Sequence, residues 1–364
     1  MRRFDCSLLL LAAFATCAHG ATLYMGTYHD TVIAFDEAKG QIVDTIQLST
    51  GLPSNLRLSQ DKKTLYVTTG DYSGIEVIDL ATRKVTNHFV LNTPTKRIRF
   101  GASGVPDPQG KYIYTVTTEM NKLADHYEIG KPKYTVIDLA AQKITKTFDV
   151  AKEDEIAIGS GRGRASFDIS LDGKYLYQFG EKVLILNADD FKVTDRMDLA
   201  KPDLPGMEDI GFGGQLDSIG QPGMHVSLFN SSDPIVHNRV FGIGRFDLNT
   251  RQMTFDPIGP APAAMMGLQV SPDKTHAYTV VTTGTLGNKR CEFWQIDMAN
   301  DRITSAREFA CRSRFSFGMS GDGQKLYVYG AGFEIDVFDA ATLQHEKTWD
   351  LQNDTTGGGL IVVP

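Results

Sequence analysis

From Thr22 onward apolar and polar positions alternate in short runs, each closed by a cluster of Asp, Gly, Asn, Lys or Thr. Period-two alternation bounded by such clusters predicts β-strands, and no segment shows sustained helical periodicity with caps. One phrase recurs, in which Ser, any residue and Asp lead into a Leu-Tyr-type strand. It reads SQDKKTLYV from Ser59, SLDGKYLYQ from Ser170, SPDKTHAYT from Ser271 and SGDGQKLYV from Ser320, with a looser copy, PDPQGKYIYTV, from Pro106. Asp suits such a turn because its side chain accepts from the backbone just ahead, and Gly because it tolerates positive φ.

A second phrase follows each copy, an apolar strand ending in Asp and then a polar turn, as in VIDLATRKV and VIDLAAQKI. Its marker residues are Asp36, Asp79, Asp138, Asn187, Asp247, Asp297 and Asp339, roughly forty to sixty residues apart. That is the spacing of four-stranded blades, so an all-β, seven-bladed β-propeller is expected over residues 21–364. The first copy lacks a leading strand, and the C-terminal GGGLIVVP is a strand with no hairpin behind it. The C-terminal strand is therefore expected to complete the first blade, which pairs both edges; a non-closing solenoid is the alternative.

The 364 residues are 41% hydrophobic and 22% charged, ordinary for a globular chain, and 35 Gly, 13 Tyr and 20 Phe fit many turns and strands. A net charge of −7 argues against a nucleic-acid binder or a partner of anionic membranes. Arg2 and Arg3, the apolar run Leu8 to Ala15 and Ala18-His19-Gly20 read as a signal peptide cleaved after Gly20, with export to a periplasm. The apolar run is too short to span a bilayer. Cys6 and Cys17 leave with the signal, and Cys291 and Cys311 remain as one expected disulfide, placed opposite each other across the hairpin that turns near Asp301.

Two segments run long, Thr117 to Pro132 and about Gly211 to Asn238, and both are expected between the middle strands of their blades, on one binding face. Counting back ten and eight residues from the turn aspartates Asp107, Asp172 and Asp322 gives Arg97 and Arg99, Arg162 and Arg164, Arg312 and Arg314. One expectation is a ring of arginines at the channel mouth that receives a carboxylate or phosphate; the other is that they pair with acids between blades, such as Glu208 and Asp209. His29, His126, His225 and His237, with Asp30, Asp125, Glu208 and Asp209, are expected on loops of one face, but without the spacing of a metal motif, and no metal site is assigned. There is no GxSxG elbow, no free thiol in the processed chain and no dinucleotide loop at GSGRGR.

With its LYVTT and VIDLATRKV phrases the chain resembles the YVTN class of bacterial extracytoplasmic propellers. TPTKRIRFGASGVPDPQGKYIYTV, the long insert ending DHYEIGKPKYTVIDLAAQKITKTF, and the ending SGDGQKLYVYGAGFEIDVFDAATLQ resemble the β subunit of quinohaemoprotein amine dehydrogenases, with Thr93–Phe148 the more specific stretch. The resemblance implies a propeller that binds no cofactor itself. It implies docking to a dihaem subunit, which carries haem c, and to a small subunit bearing a quinone, and a share in walling the active site. The opening LYMGTYHDTVIAFD is also similar to the start of seven-bladed lactonases, and implies as the alternative a hydrolase acting on a carboxylated small molecule.

Overall fold

In the computed structural model the described residues are 20–101, 104–154, 166–179, 182–198, 208–213, 216, 221–233, 235, 238–330, 332–355 and 359–364. They form seven antiparallel sheets. The sole α-helical segment among them is the single turn Gly70–Ser73. The C-terminal strand Leu360–Val363 lies innermost in the first sheet, beside Thr22–Thr27, with Val363 opposite Thr22 and Leu360 opposite Met25. The ring is thus closed as expected: the surplus strand supplies the missing one, and a solenoid is excluded. At the seam Leu23, Met25, Ile33 and Phe35 of the first blade pack on Tyr327, Ile335 and Val337 of the last. Each such buried side chain is worth about 1.5–3 kcal/mol.

Both repeated phrases have one geometry each. In the first, the Ser hydroxyl donates to the Asp carboxylate at 2.6 Å for Ser59–Asp61, 2.7 Å for Ser170–Asp172 and 2.6 Å for Ser271–Asp273 and Ser320–Asp322. Main-chain N–H groups just ahead donate to the same carboxylates. These hydrogen bonds, the Ser hydroxyl first, hold Asp172 and Asp273 down to about 2, below the usual carboxylate range. In the second phrase, each marker side chain accepts from a backbone N–H two or three residues on, as Asp79 does from Thr82 at 2.8 Å. The fourth residue after every marker has positive φ: Gly40, Arg83, Gln142, Phe191, Arg251, Asp301 and Leu343.

The turns of both phrases lie on one face of the ring, the turn face. The links between blades and between second and third strands lie on the other, the loop face. Two expectations are corrected. The long segment of the fifth blade is not one middle loop. It divides into a connection from Glu208–Phe212 to Met224–Ser232 on the turn face, the strand itself, and a connection to Arg239–Asp247 on the loop face. The disulfide forms, with Cα atoms 5.2 Å apart, but Cys291 stands opposite Phe309, and Cys311 lies two residues beyond. The turn centres between Ala299 and Asn300 rather than at Asp301, which moves the partner of Cys291 away from Cys311; the bulge at Gln295/Ile296 restores only one residue of the difference.

Candidate functional site

A cavity of about 550 Å³ lies where innermost strands of several blades meet. One level of the repeat stands out on its wall. Four residues before the turn aspartates Asp61, Asp172, Asp273 and Asp322 come Arg57, Asp168, Gln269 and Gly318, and all four line the cavity. They belong to Pro53–Leu58, Ser166–Ile169, Gln269–Val270 and Ser316–Met319, the innermost strands of the second, fourth, sixth and seventh blades. Arg57 is held by the next two blades: its Nη2 donates to the carbonyl of Phe167 in the fourth at 2.9 Å and its Nε to that of Gly104 in the third at 3.4 Å. At Gly318 an added Cβ would come within 2.7 Å of Leu360 Cδ2, so a side chain there would require Leu360 to move.

His225 supports Asp168 from behind. It sits on Met224–Ser232 rather than on a loop as expected, and it is fully buried. Its Nδ1 lies 2.7 Å from Asp168 Oδ2 and its Nε2 3.1 Å from the carbonyl oxygen of Gly213. The ring stacks on Phe179 at 3.7 Å and meets Phe212 edge-on at 4.9 Å. A carbonyl can only accept, so Nε2 carries a proton; the contact at Nδ1 needs a second, on the imidazole or on the carboxyl. Both ring nitrogens are thereby engaged, and His225 orients Asp168 rather than offering a base to the cavity.

The predicted arginines lie elsewhere, and none of the four described ones lines the cavity. Arg97 and Arg99 are exposed on Lys96–Phe100, opposite Met120 and Thr118. Arg312 turns into its own blade, 2.6 Å from Asp336, and donates to the carbonyl of Glu334 at 3.0 Å. Arg314 is exposed four residues from Gly318. Arg162 and Arg164 lie outside the described residues. The arginine spacing is regular in sequence but not in space. In the third blade the count back from Asp107 crosses the break between Lys96–Phe100 and Val105–Pro106, and in the seventh it passes the start of Ser316–Met319. Of the other candidates, His126 and Asp125 form an exposed pair at 2.7 Å and His29 is exposed, while His237 and the side chains of Glu208 and Asp209 lie outside the described set. No group of three His, Cys, Asp or Glu among the described residues could hold a metal ion.

The loop face has its own feature. Tyr112–Lys122 runs past its blade and pairs with Lys96–Phe100 on one side and Tyr127–Ile129 on the other. The result is a three-stranded flap built from the expected middle-strand insertion. Its tip exposes Leu123, Tyr127 and Ile129 at 44%, 51% and 68%. Of the eleven exposed large apolar side chains among the described residues, eight lie on the loop face: these three with Tyr28, Leu52, Val90, Ile235 and Phe333. Tyr28 and Phe333 flank one segment, since the Tyr28 N–H donates to the Asp354 carbonyl at 2.8 Å and the Phe333 carbonyl accepts from Leu351 at 2.7 Å. Single exposed apolar residues are ordinary; their gathering on one face is the informative observation.

The geometry defines a seven-bladed β-propeller with an axial cavity of mixed polar and apolar lining and an apolar-studded loop face. No family model matches the chain, and no curated protein matches its sequence. Solved structures share the fold. A putative 6-phosphogluconolactonase from Bacteroides fragilis aligns with a TM-score of 0.55 at 17% identity, over 96% of this chain and 99% of its own. The periplasmic gluconolactonase of Pseudomonas aeruginosa aligns at 0.54 and 16%, over 94% and 99%. A dihydro-haem d1 dehydrogenase aligns at 0.51 and 14%, over 94% of this chain and 75% of its own. Likeness at such identities shows the architecture alone, and these neighbours have different activities. No helix among the described residues is long and apolar enough to cross a membrane.

Proposed function

We propose that this chain is an exported, non-catalytic propeller that docks partner subunits on its loop face, in the way the resemblance to the amine dehydrogenase β subunits implies. One observation carries the reading. The stretch with the more specific resemblance, Thr93–Phe148, is the stretch that builds the flap, and the flap tip bears three of the exposed apolar side chains. Arg99 and Arg314 lie exposed on the same face and supply guanidinium forks for acidic loops or anions of a partner. Export to a periplasm and haem- and quinone-bearing partners belong to this proposal. The test is native purification. The chain is expected to elute with a c-type haem subunit, and Tyr127→Lys with Ile129→Lys is expected to release it while leaving its thermal midpoint within a few degrees. Elution of the unaltered chain alone from its own host would sink the reading.

A second reading, a lactonase-like hydrolase, is favoured by the axial level of Arg57, Asp168 and Gln269. Asp168 is the one acidic side chain lining that cavity among the described residues, and the neighbouring imidazole is already committed at both nitrogens. Turnover of a sugar lactone that vanishes in Asp168→Asn would establish this reading in place of the first.

A further inference from the structure

The axial cavity has a chemistry that docking on the loop face does not use. We propose that it binds a small polyhydroxy monocarboxylate, with the carboxylate against Arg57 and hydroxyl groups donated to Asp168 and accepted from Gln269, and that it releases this ligand unchanged. The proposal is independent of the docking reading.

The cavity, about 550 Å³, is within the range of small-molecule sites. Arg57, Asp168 and Gln269 stand at one level but come from three separate blades, so they face a common space rather than one another along a single sheet. Arg57 is positioned in advance by the carbonyls of Phe167 and Gly104, and Lys62 is the other cation on the wall. A planar guanidinium fixed at the edge of a cavity matches a carboxylate in its own plane. Asp168 sets the other end of the ligand. One of its oxygens is bound to His225, and towards the cavity the carboxyl group is a hydrogen-bond partner for ligand hydroxyls. A ligand with one carboxylate and several hydroxyls matches both ends. Gln269 donates and accepts in the same level, which suits hydroxyl groups. Leu56, Leu58, Val226, Leu268 and Leu360 supply aliphatic walls for the carbon chain. No reaction is assigned, because the imidazole nearest the ligand has no uncommitted nitrogen.

The experiment uses the purified chain and three five-carbon probes: D-ribonate, valerate, which has the charge without hydroxyls, and ribitol, which has hydroxyls without the charge. Calorimetric titration is expected to show saturable binding of ribonate, at least about tenfold tighter than either control, since each control lacks one set of polar contacts. Arg57→Gln is expected to lower ribonate affinity by about tenfold or more, with Arg57→Lys in between. Asp168→Asn is expected to remove most of the preference for ribonate over valerate. Should Arg57→Gln fail to fold, the comparison of the three probes on the unaltered chain still decides. Ribonate binding no better than valerate and ribitol, or no saturable binding of any probe, overturns the proposal. So does hydrolysis of D-ribonolactone that is lost in Asp168→Asn, because the ligand is then a product.

Discussion

At the scale of single residues the repeat works through small polar side chains that replace backbone partners. Ser and Asp of the first phrase close each turn by bonding each other and the chain ahead, and this carries a pH dependence. Asp172 and Asp273 titrate near 2 in the folded chain against an ordinary value of 3.8. A depressed carboxylate stabilises the fold above its unfolded value, and the contribution is lost as pH falls through the folded one. Stability is therefore expected to drop between about pH 4 and pH 2, and the double variant Asp172→Asn, Asp273→Asn should show a shallower fall, read from thermal midpoints across that range. The cause is hydrogen bonding to Ser170 and Ser271 more than charge, so added salt should leave most of the slope in place. A slope identical in the variant would show that other carboxylates govern acid unfolding. The axial level was readable at this scale too. Arg57, Asp168 and Gln269 share a position four residues before the turn aspartate, inside the strand, where repeat register still holds in space. The arginines eight and ten residues back lie beyond the part of the strand that the repeat controls.

At the scale of elements, hairpins were legible because alternation and turn chemistry agree. Every marker residue caps its turn, and every fourth residue after it takes positive φ. Bulges were not legible, since one extra residue leaves the hydrophobic pattern almost unchanged and moves only the partner across the ladder. The pairing of Cys291 with Cys311 was foreseen but its register was not, because the turn centres between Ala299 and Asn300 rather than at Asp301 and the bulge at Gln295/Ile296 restores only one residue of the offset. The bond closes a loop of 20 residues on a blade whose inner neighbours are already packed. In the chain-entropy model it is worth about 3 kcal/mol. Cys291→Ala with Cys311→Ala is expected to lower the unfolding free energy by about that amount in denaturant titrations, with the fold kept because the other blades do not depend on the bond. An unchanged midpoint relative to the oxidised chain would show that the bond adds nothing to stability. The flap is the element that sequence placed correctly as an insertion but could not shape. Its strands are ordinary in pattern, and their projection comes from the division of the inner side of the third blade into Lys96–Phe100 and Val105–Pro106, the first of which follows the extension of Tyr112–Lys122.

At the scale of the molecule, closure is the feature on which all seven blades depend. Removing residues 360–364 exposes the edge of Thr22–Thr27 and strips Leu360 and Val362 from the seam cluster. The truncated chain is expected to lose at least about 3 kcal/mol, from the partial burial of two side chains and the lost ladder bonds. An unchanged thermal midpoint would contradict the closure. Blade number, closure and the disulfide pair were determined by the sequence alone, because each rests on a repeated local signal: a period of two, a capped turn, a missing strand matched by a surplus one. The cavity, the burial of His225 behind Asp168 and the apolar loop face were decided only by the tertiary structure. Arg57, Asp168 and Gln269 are far apart in the chain and become one site only when the innermost strands are brought round a common axis. Burial is likewise a property of the closed ring: the same alternating pattern serves a histidine stacked on Phe179 and edge-on to Phe212 and a tyrosine at the tip of a flap, and only the position of the blade against its neighbours separates them.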